Sequence, residues 1–545
     1  MTTTSEIAAI LLGCERPGGK AQPYESEDPG DCTDITKSIG ATLDYPSDGG
    51  NVFAVSDLHL AAGKGPDGRF DGCENFYFDD SFRRFLAEAN RTSLEHKSHT
   101  FVLNGDAIDF LRVTYVPGRP HAPKRLQRIL THLKIRQRAK RKKTQTPEEQ
   151  EDFQNDFEEW RQILLRIGID ISVDDLDASV TDREEIYGLK TQESKSVLRL
   201  AIVMRGHPEF FEALADWLSW GNRILVVKGN HDLEWFWRGV RNYLRLDIAE
   251  RLAKRQGGGA DLIRDALLKT VLPNLLFADH AVLIDGDFFL EHGHPYDPVT
   301  RVYGENTVNE GTELNIPFGS FFNRYVLNFL ELDYPNLDKI RPTPNVLPMI
   351  LRTNGFGAIR VLATHLTFMF QTMTRGYVKH IFGQHLIRQV ATIVAAIVVL
   401  PIGLLIHQFC AKPGILLGAV EWIVVLIAVH IAVQGTAQWQ LKEPDSLAQF
   451  ARLRFEQNPN FRLITFGHTH NPTQFVMNRR WFYNTGTWIP VIETTVNELR
   501  ENRMFAILRI DHDGNRLQPG LMYQWDDEGG RLEPMVLIRT KSSDL

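Results

Sequence analysis

Five short polar clusters, each closing an apolar run rich in strand formers, constrain this chain more than anything else in it. They are AVSDLHL at 54–60, LNGDAID at 103–109, VVKGNHD at 226–232, EHGH at 291–294 and FGHTHNP at 466–472. The runs that lead into them, NVFAV, TFVLN, RILVV, DFFLE and FRLITF, read as buried strands. The polar residues therefore sit where strands emerge into loops, and open α/β sheets keep their chemistry at such loops.

The residue types point to divalent cations. Two cations roughly 3.5 to 4 Å apart need hard oxygen and imidazole donors, with one carboxylate shared between them. Asp106 is the candidate bridge. Asp57 and His59, two apart on one strand end and so expected on one face, would hold one ion with Asp106, and His470 would complete that site. Asn230, through its amide oxygen, and His292 and His468, as neutral imidazoles, would hold the second. The glycines before Asp106, Asn230 and His468 fit tight turns that bring backbone close to the ions. Manganese is the expected metal pair, and iron or zinc suits the same donors.

The ordered set DxH, GDxxD, GNHD, an HGH-like block and GHxH resembles the calcineurin-like metallophosphoesterase superfamily. The resemblance covers about residues 51–110, 200–300 and 460–510. It implies a β-sandwich of two mixed sheets flanked by helices, with Asp57, His59, Asp106, Asn230, His292, His468 and His470 as metal ligands. His231 would be the acid that protonates the leaving oxygen, and Asp109 its orienting partner. YNTGTW at 483–488 is similar to the superfamily's closing strand and turn, with nothing evident to bind. His294 reads equally well as lining the site or as a plain loop histidine.

At 545 residues the chain exceeds one ordinary domain, and its motif spacing suggests a core interrupted by insertions. We expect a poorly ordered lead-in at 1–50, core segments at 51–110, 200–300 and 456–545, a charged helical insertion at 111–199, and a second insertion at 301–455. A net charge of −7 with 43% hydrophobic residues excludes both a polycation and a disordered polyanion. Four scattered cysteines without a CxxC pair suit a reducing compartment. The first residues lack a basic leader, and AAILLG is short for a signal core, so the catalytic part is expected on the cytoplasmic side.

Both insertions carry strong local bias. Residues 124–143 hold ten Lys or Arg and no acid, followed by the acidic PEEQEDFQNDFEEW. That pair reads as a self-neutralising helical hairpin, or as a basic face for anionic lipid or nucleic acid. In the second insertion, Gln389 to Phe409 runs 21 residues without a formal charge, and Ile415 to Val433 runs 19 with only Glu421. Joined by AKPG, they read as an apolar helical hairpin over 386–434 in a membrane, or as a buried helix pair. Glu421 in lipid would need a partner. Arg375, Lys379 and Arg388 before the hairpin, and Lys442, Arg452 and Arg454 after it, against Lys412 alone in the turn, would put both flanks on the cytoplasmic side.

The expected reaction is hydrolysis of a phosphoester or pyrophosphate bond, on a membrane-associated or lipid-linked substrate. The nearest functional analogy is to the UDP-2,3-diacylglucosamine pyrophosphohydrolases, which also insert a helical lid before GHTH. This chain differs from them at His231, where they are expected to carry arginine, and in its longer insertion. A nuclease or nucleotide phosphodiesterase would use the same centre, with nucleic acid as partner, and a non-enzymatic membrane scaffold is the remaining class. The segment 314–335 offers Phe318, Phe321, Phe322, Tyr325, Phe329 and Leu330 at helical spacing, either as core or as an acyl-chain face with Arg324 meeting a phosphate.

Overall fold

A computed structural model describes residues 3–13, 42–92, 97–118, 147–328, 340–341, 400–411, 414, 417–427 and 447–537, apart from 66, 71–72, 298, 303, 495–498, 503 and 536. Two mixed β-sheets form its centre. The seven-stranded sheet runs Arg531–Pro534, Leu521–Asp526, Ala506–Ile510, Val52–Val55, Thr100–Asn104, Arg223–Val227 and Leu275–Ala278 from edge to edge. Its last four strands are mutually parallel and the first three pair antiparallel. The six-stranded sheet runs Thr42–Tyr45, Ala281–Ile284, Phe288–Glu291, Leu463–Phe466, Arg480–Asn484 and Thr473–Met477.

Alternation along the strands decides the layering, because successive side chains leave opposite faces of a sheet. Val52, Ala54, Val102, Leu225 and Leu508 share one apolar cluster with Val282, Phe288, Leu290 and Leu463 of the other sheet, so the two sheets pack face to face. Phe53, Val55, Phe101, Leu103 and Val226 point the other way, into a cluster with Phe82 and Phe85 of the helix Asp79–Arg91 and with the helices Glu193–Gly206 and Pro208–Ser219. Phe289, Ile464, Phe466 and Phe482 meet Phe450, Ala451 and Phe455 of the helix Ala448–Gln457 on the far side of the second sheet. Helices thus cover both outer faces of a two-sheet sandwich, the α/β arrangement expected from the sequence.

Several expectations need correcting. The lead-in is ordered at both ends: the helix Thr3–Gly13 buries Ile7 and Leu11, and the carbonyl of Leu11 accepts from Asn242 Nδ2 at 3.1 Å, while Thr42–Tyr45 is an edge strand paired with Ala281–Ile284. The acidic part of the first insertion forms the helix Pro147–Leu165, and its Phe153, Phe157, Trp160 and Leu164 enter the main core, so its packing does not depend on the basic run alone. The basic run 124–143 lies outside the described residues. Arg454 is a core residue and not a flanking surface charge: its Nε donates to the Tyr296 hydroxyl at 2.7 Å, and its Nη2 lies 3.5 Å from Glu291.

Of the expected apolar hairpin, the helix Leu400–Ala411 and a helix at 417–427 are described, and the rest lies outside. Among the described residues no helix is long and apolar enough to cross a membrane. The two helices touch through polar groups. Gln408 Nε2 donates to the Gly418 carbonyl at 3.0 Å, Trp422 Nε1 donates to Gln408 Oε1 at 3.1 Å, and His407 Nε2 lies 3.4 Å from Glu421. Leu404 is buried, but most of their other described apolar side chains face outward, with Phe409 82% exposed.

Candidate metal centre

The polar clusters meet at the carboxyl ends of five strands, three from one sheet and two from the other. Asn104 joins the two sets, its Nδ2 donating to the Glu291 carbonyl at 3.0 Å. Backbone bonds stitch the loops together: Asp57 N to Gly105 O, His59 N to Asp106 O, Leu60 N to Ala107 O, and Gly467 N to His292 O. Asp57 and His59 do not share a face by strand alternation, as the sequence suggested. The strand ends at Val55, and both residues lie in the left-handed region, at φ 54° and 51°. Asp106, His468 and His470 do the same, at 52°, 71° and 56°. Each such non-glycine residue costs of order 1–3 kcal/mol, so five of them at one point mark a shape imposed by the surrounding packing.

Three groups of side chains have ligand-type atoms within 4.8 Å of one another: Asp57, His59 and His470; Asp106, His292 and His468; and His59, Asp109 and His231, which shares His59 with the first. In the first, His470 Nε2 lies 3.3 Å from Asp57 Oδ1 and 3.2 Å from His59 Nε2. In the second, His292 Nε2 lies 3.1 Å from Asp106 Oδ2. The same Asp106 Oδ2 lies 3.9 Å from His59 Nε2, which puts this oxygen between the groups, as a bridge requires.

The free valences fit cations. Asp57 uses Oδ2 to accept from Ser56 Oγ at 2.5 Å and His468 N at 3.0 Å, and its Oδ1 has no hydrogen-bond partner. Asn230 Oδ1 and His292 Nε2 are likewise buried without a hydrogen bond. Asp57 Oδ1 faces His470 Nε2 at 3.3 Å and His292 Nε2 faces Asp106 Oδ2 at 3.1 Å, both within the cluster itself, and a buried acceptor such as Asn230 Oδ1 without a hydrogen bond is costly unless a ligand satisfies it. Burial opposes charge on Asp57, but His292 and His470 outweigh it and hold the carboxyl down at about 2. Burial likewise opposes charge on His292, yet Asp106 and Asp57 raise it to about 10. A divalent cation would supply the same positive charge and take the same imidazole lone pair as that proton.

Glycines keep the cluster tight. A Cβ on Gly229 would sit 2.1 Å from Asp106 Oδ1, one on Gly467 2.8 Å from Asp57 Oδ2, and one on Gly105 2.4 Å from the His292 ring. These are the glycines that the sequence marked for close backbone approach.

His231 and Asp109 come together as expected, with His231 Nδ1 2.9 Å from Asp109 Oδ2. Asp109 does more than orient one ring. Its Oδ2 also lies 3.1 Å from His59 Nδ1 and 3.3 Å from Arg112 Nε, so one buried carboxylate fixes both the candidate acid and a candidate ligand. Burial works against charge on His231, but Asp109 and Asp106 outweigh it and raise the imidazole to about 9. Its side chain is 18% exposed, enough for a ring edge to reach a substrate.

Several supporting residues escaped sequence reasoning. Ser56 links Asp57 to Thr485 Oγ1 at 2.6 Å, and Thr487 Oγ1 donates to the Asp57 carbonyl at 2.7 Å, so YNTGTW buttresses a candidate ligand. Asp232, the last residue of GNHD, accepts from Gly229 N at 2.6 Å and Ala107 N at 3.0 Å and ties the loops of Asp106 and Asn230 together. Asp297 and Thr300 lie against His468, at 3.2 and 3.1 Å from its Nε2. His294 is buried with its ring 5.5 Å from that of His292. Arg324 is not placed for a phosphate: it is 3% exposed, and its Nη2 donates to the Gly188 and Leu189 carbonyls. Phe321 and Tyr325 are buried, which favours the core reading of that segment. Phe329 and Leu330 lie outside the described residues. The chain matches no protein-family model and no curated protein.

Proposed function

We propose that this protein is a two-cation phosphoesterase of the calcineurin-like kind, hydrolysing a phosphoester or phosphoanhydride bond. The observation that carries the proposal is the shared Asp106 Oδ2, set between two groups of imidazole and carboxylate donors, beside the buried Asn230 Oδ1 that makes no hydrogen bond. Asp57, His59, Asp106 and His470 would hold one divalent cation, and Asp106, Asn230, His292 and His468 the other. Two such cations supply a nucleophilic water at neutral pH and neutralise charge that grows on the phosphoryl oxygens.

The chain's own residues do the rest. His231, held charged by Asp109, donates a proton to the leaving oxygen. Arg112 and His59 share the Asp109 carboxylate and stop it from turning away. Manganese is the metal to try first, then iron and zinc. Hydrolysis of a chromogenic phosphodiester by the purified, Mn-loaded chain tests the proposal, and its absence with all three metals rejects it.

The substrate is proposed to be a phosphate or pyrophosphate head group at a lipid surface, with the catalytic residues on the cytoplasmic side. Support comes from the outward apolar side chains of the two hairpin helices, among them Leu405, Ile406, Phe409, Ile423 and Val424. Surface apolar residues clustered in this way mark an interaction site. Glu421, the one acid of its span, has the partner that lipid would require in His407. Panels of lipid-linked pyrophosphates and single-stranded DNA separate this substrate class from a nuclease.

A further inference from the structure

Histidine ligands need a defined tautomer, because only the nitrogen without the proton can bind a cation, and the group at the other nitrogen decides which one that is. Two of the candidate ligands have such a partner in plain view. His59 Nδ1 faces Asp109 Oδ2 at 3.1 Å, and His292 Nδ1 faces the Asn104 carbonyl at 3.0 Å. In both rings an acceptor claims the Nδ1 proton and leaves Nε2 for the metal.

His468 has the reverse arrangement. Its Nε2 lies 3.2 Å from Asp297 Oδ2 and 3.1 Å from Thr300 Oγ1. Asp297 Oδ1 accepts from Val299 N at 2.9 Å, which leaves Oδ2 for the ring. The Thr300 hydroxyl is within reach of the His294 carbonyl at 3.2 Å, and donation there turns an oxygen lone pair toward His468. Nε2 thus meets two acceptors and must carry the proton. The backbone of this loop is fixed in turn, since Thr300 N and Arg301 N donate to the Asp297 carbonyl at 3.1 and 2.9 Å, and Gly319 N donates to Val299 O at 2.8 Å. Asp297 stands outside the group formed by Asp106, His292 and His468.

We propose that Asp297 and Thr300 are positioning residues for the second cation: they hold His468 as the Nε2–H tautomer, so that Nδ1 keeps its lone pair for the metal. This rests on the two-cation reading above. It also gives the two sites different sensitivities, since His468 meets the first site only through its backbone N, which donates to Asp57 Oδ2 at 3.0 Å whatever the ring's tautomer.

The test is a Mn titration of the full chain, following each of the two ions by calorimetry with chelator competition, in the wild type, Asp297→Asn, Asp297→Ala and the shape-conserving Thr300→Val. Losing such an outer partner typically weakens metal binding about 10- to 100-fold. Asp297→Ala should therefore weaken one of the two ions by about that factor and leave the other unchanged. Thr300→Val should do the same to a smaller extent. Asp297→Asn, which keeps an acceptor oxygen, should recover most of the affinity. A merely structural role would lower both affinities together and would not be rescued by Asn, and either result overturns the proposal. Unchanged affinity in Asp297→Ala also overturns it while leaving the two-cation reading intact. If the wild type itself takes up fewer than two ions, the underlying reading fails first.

Discussion

Replacing Gly229 by alanine should disable the centre with the addition of a single carbon. The position has no left-handed backbone requirement, so the substitution carries no conformational penalty of that kind. Its cost is steric. The new Cβ would lie 2.1 Å from Asp106 Oδ1 and 2.5 Å from Asp106 N, where ordinary contact begins at 3.4 Å. The carboxylate would have to retreat by roughly 1 Å, the scale on which misplacement at an active site costs about 100-fold in rate. Retreat also strains the bond by which Asp106 Oδ1 accepts from His231 N at 2.8 Å, so the bridge and the acid would move together. Overpacking of this kind typically costs about 1–3 kcal/mol, which a domain of this size survives. We expect Gly229→Ala to fold, to melt a few degrees lower, to lose metal from both sites and to drop at least about 100-fold in phosphodiesterase turnover. Gly403→Ala is the control, since among the described residues nothing lies within 4 Å of its Cβ. Elemental analysis with a thermal melt decides the matter. Two bound ions and wild-type turnover in Gly229→Ala would refute the reasoning.

Three further expectations follow from the same geometry. His231→Ala should keep its metal but lose about 10²- to 10⁴-fold in turnover with a poor leaving group, and less with an activated one; equal losses for both would remove His231 as the acid. His207 sits buried between Glu74 at 3.1 Å and Asp79 at 3.0 Å, and although burial opposes its charge, those carboxylates raise it from 6.5 to about 9. A raised histidine stabilises fully below pH 6.5 and loses that contribution as pH climbs through 9, so up to about 3 kcal/mol should vanish over this window in the wild type and not in His207→Gln. Parallel melting curves for the two across pH 6.5 to 9 would contradict this. Deleting residues 386–434 with a short Gly-Ser linker should release the protein from membranes with metal and soluble-diester activity retained, whereas wild-type protein that washes off in high salt would show that the hairpin is not inserted.

What was legible in the sequence was set by local physics. NVFAV, TFVLN, RILVV and DFFLE read as buried strands with polar residues emerging at their ends, and the structure brings Asp57, His59, Asp106, Asn230 and His292 to one place. Left-handed backbone at Asp57 and His59, and not strand alternation, brings the two together. Asp297, Thr300 and Ser56 were invisible because their partners lie far away in the chain, 171, 168 and 429 residues distant for the contacts with His468, His468 and Thr485. Arg324 and Arg454 misled in the same way. An arginine in an apolar context looks like a ligand or a flanking charge, until backbone carbonyls or a buried Glu291–Tyr296 pair claim its donors. The helix Thr3–Gly13 was not legible because Ile7 and Leu11 are buried in the main core beside the helix Ala260–Ala266, far along the chain, which no local pattern announces.

The central claim is that Asp106 serves two cations at once, and metal stoichiometry tests it most directly. Purified chain loaded with manganese and freed of excess should carry two ions per molecule by elemental analysis, and Asp106→Asn should carry close to none, because neither ion keeps its ligand set. Two ions retained in Asp106→Asn, or fewer than two in the wild type, would contradict the account.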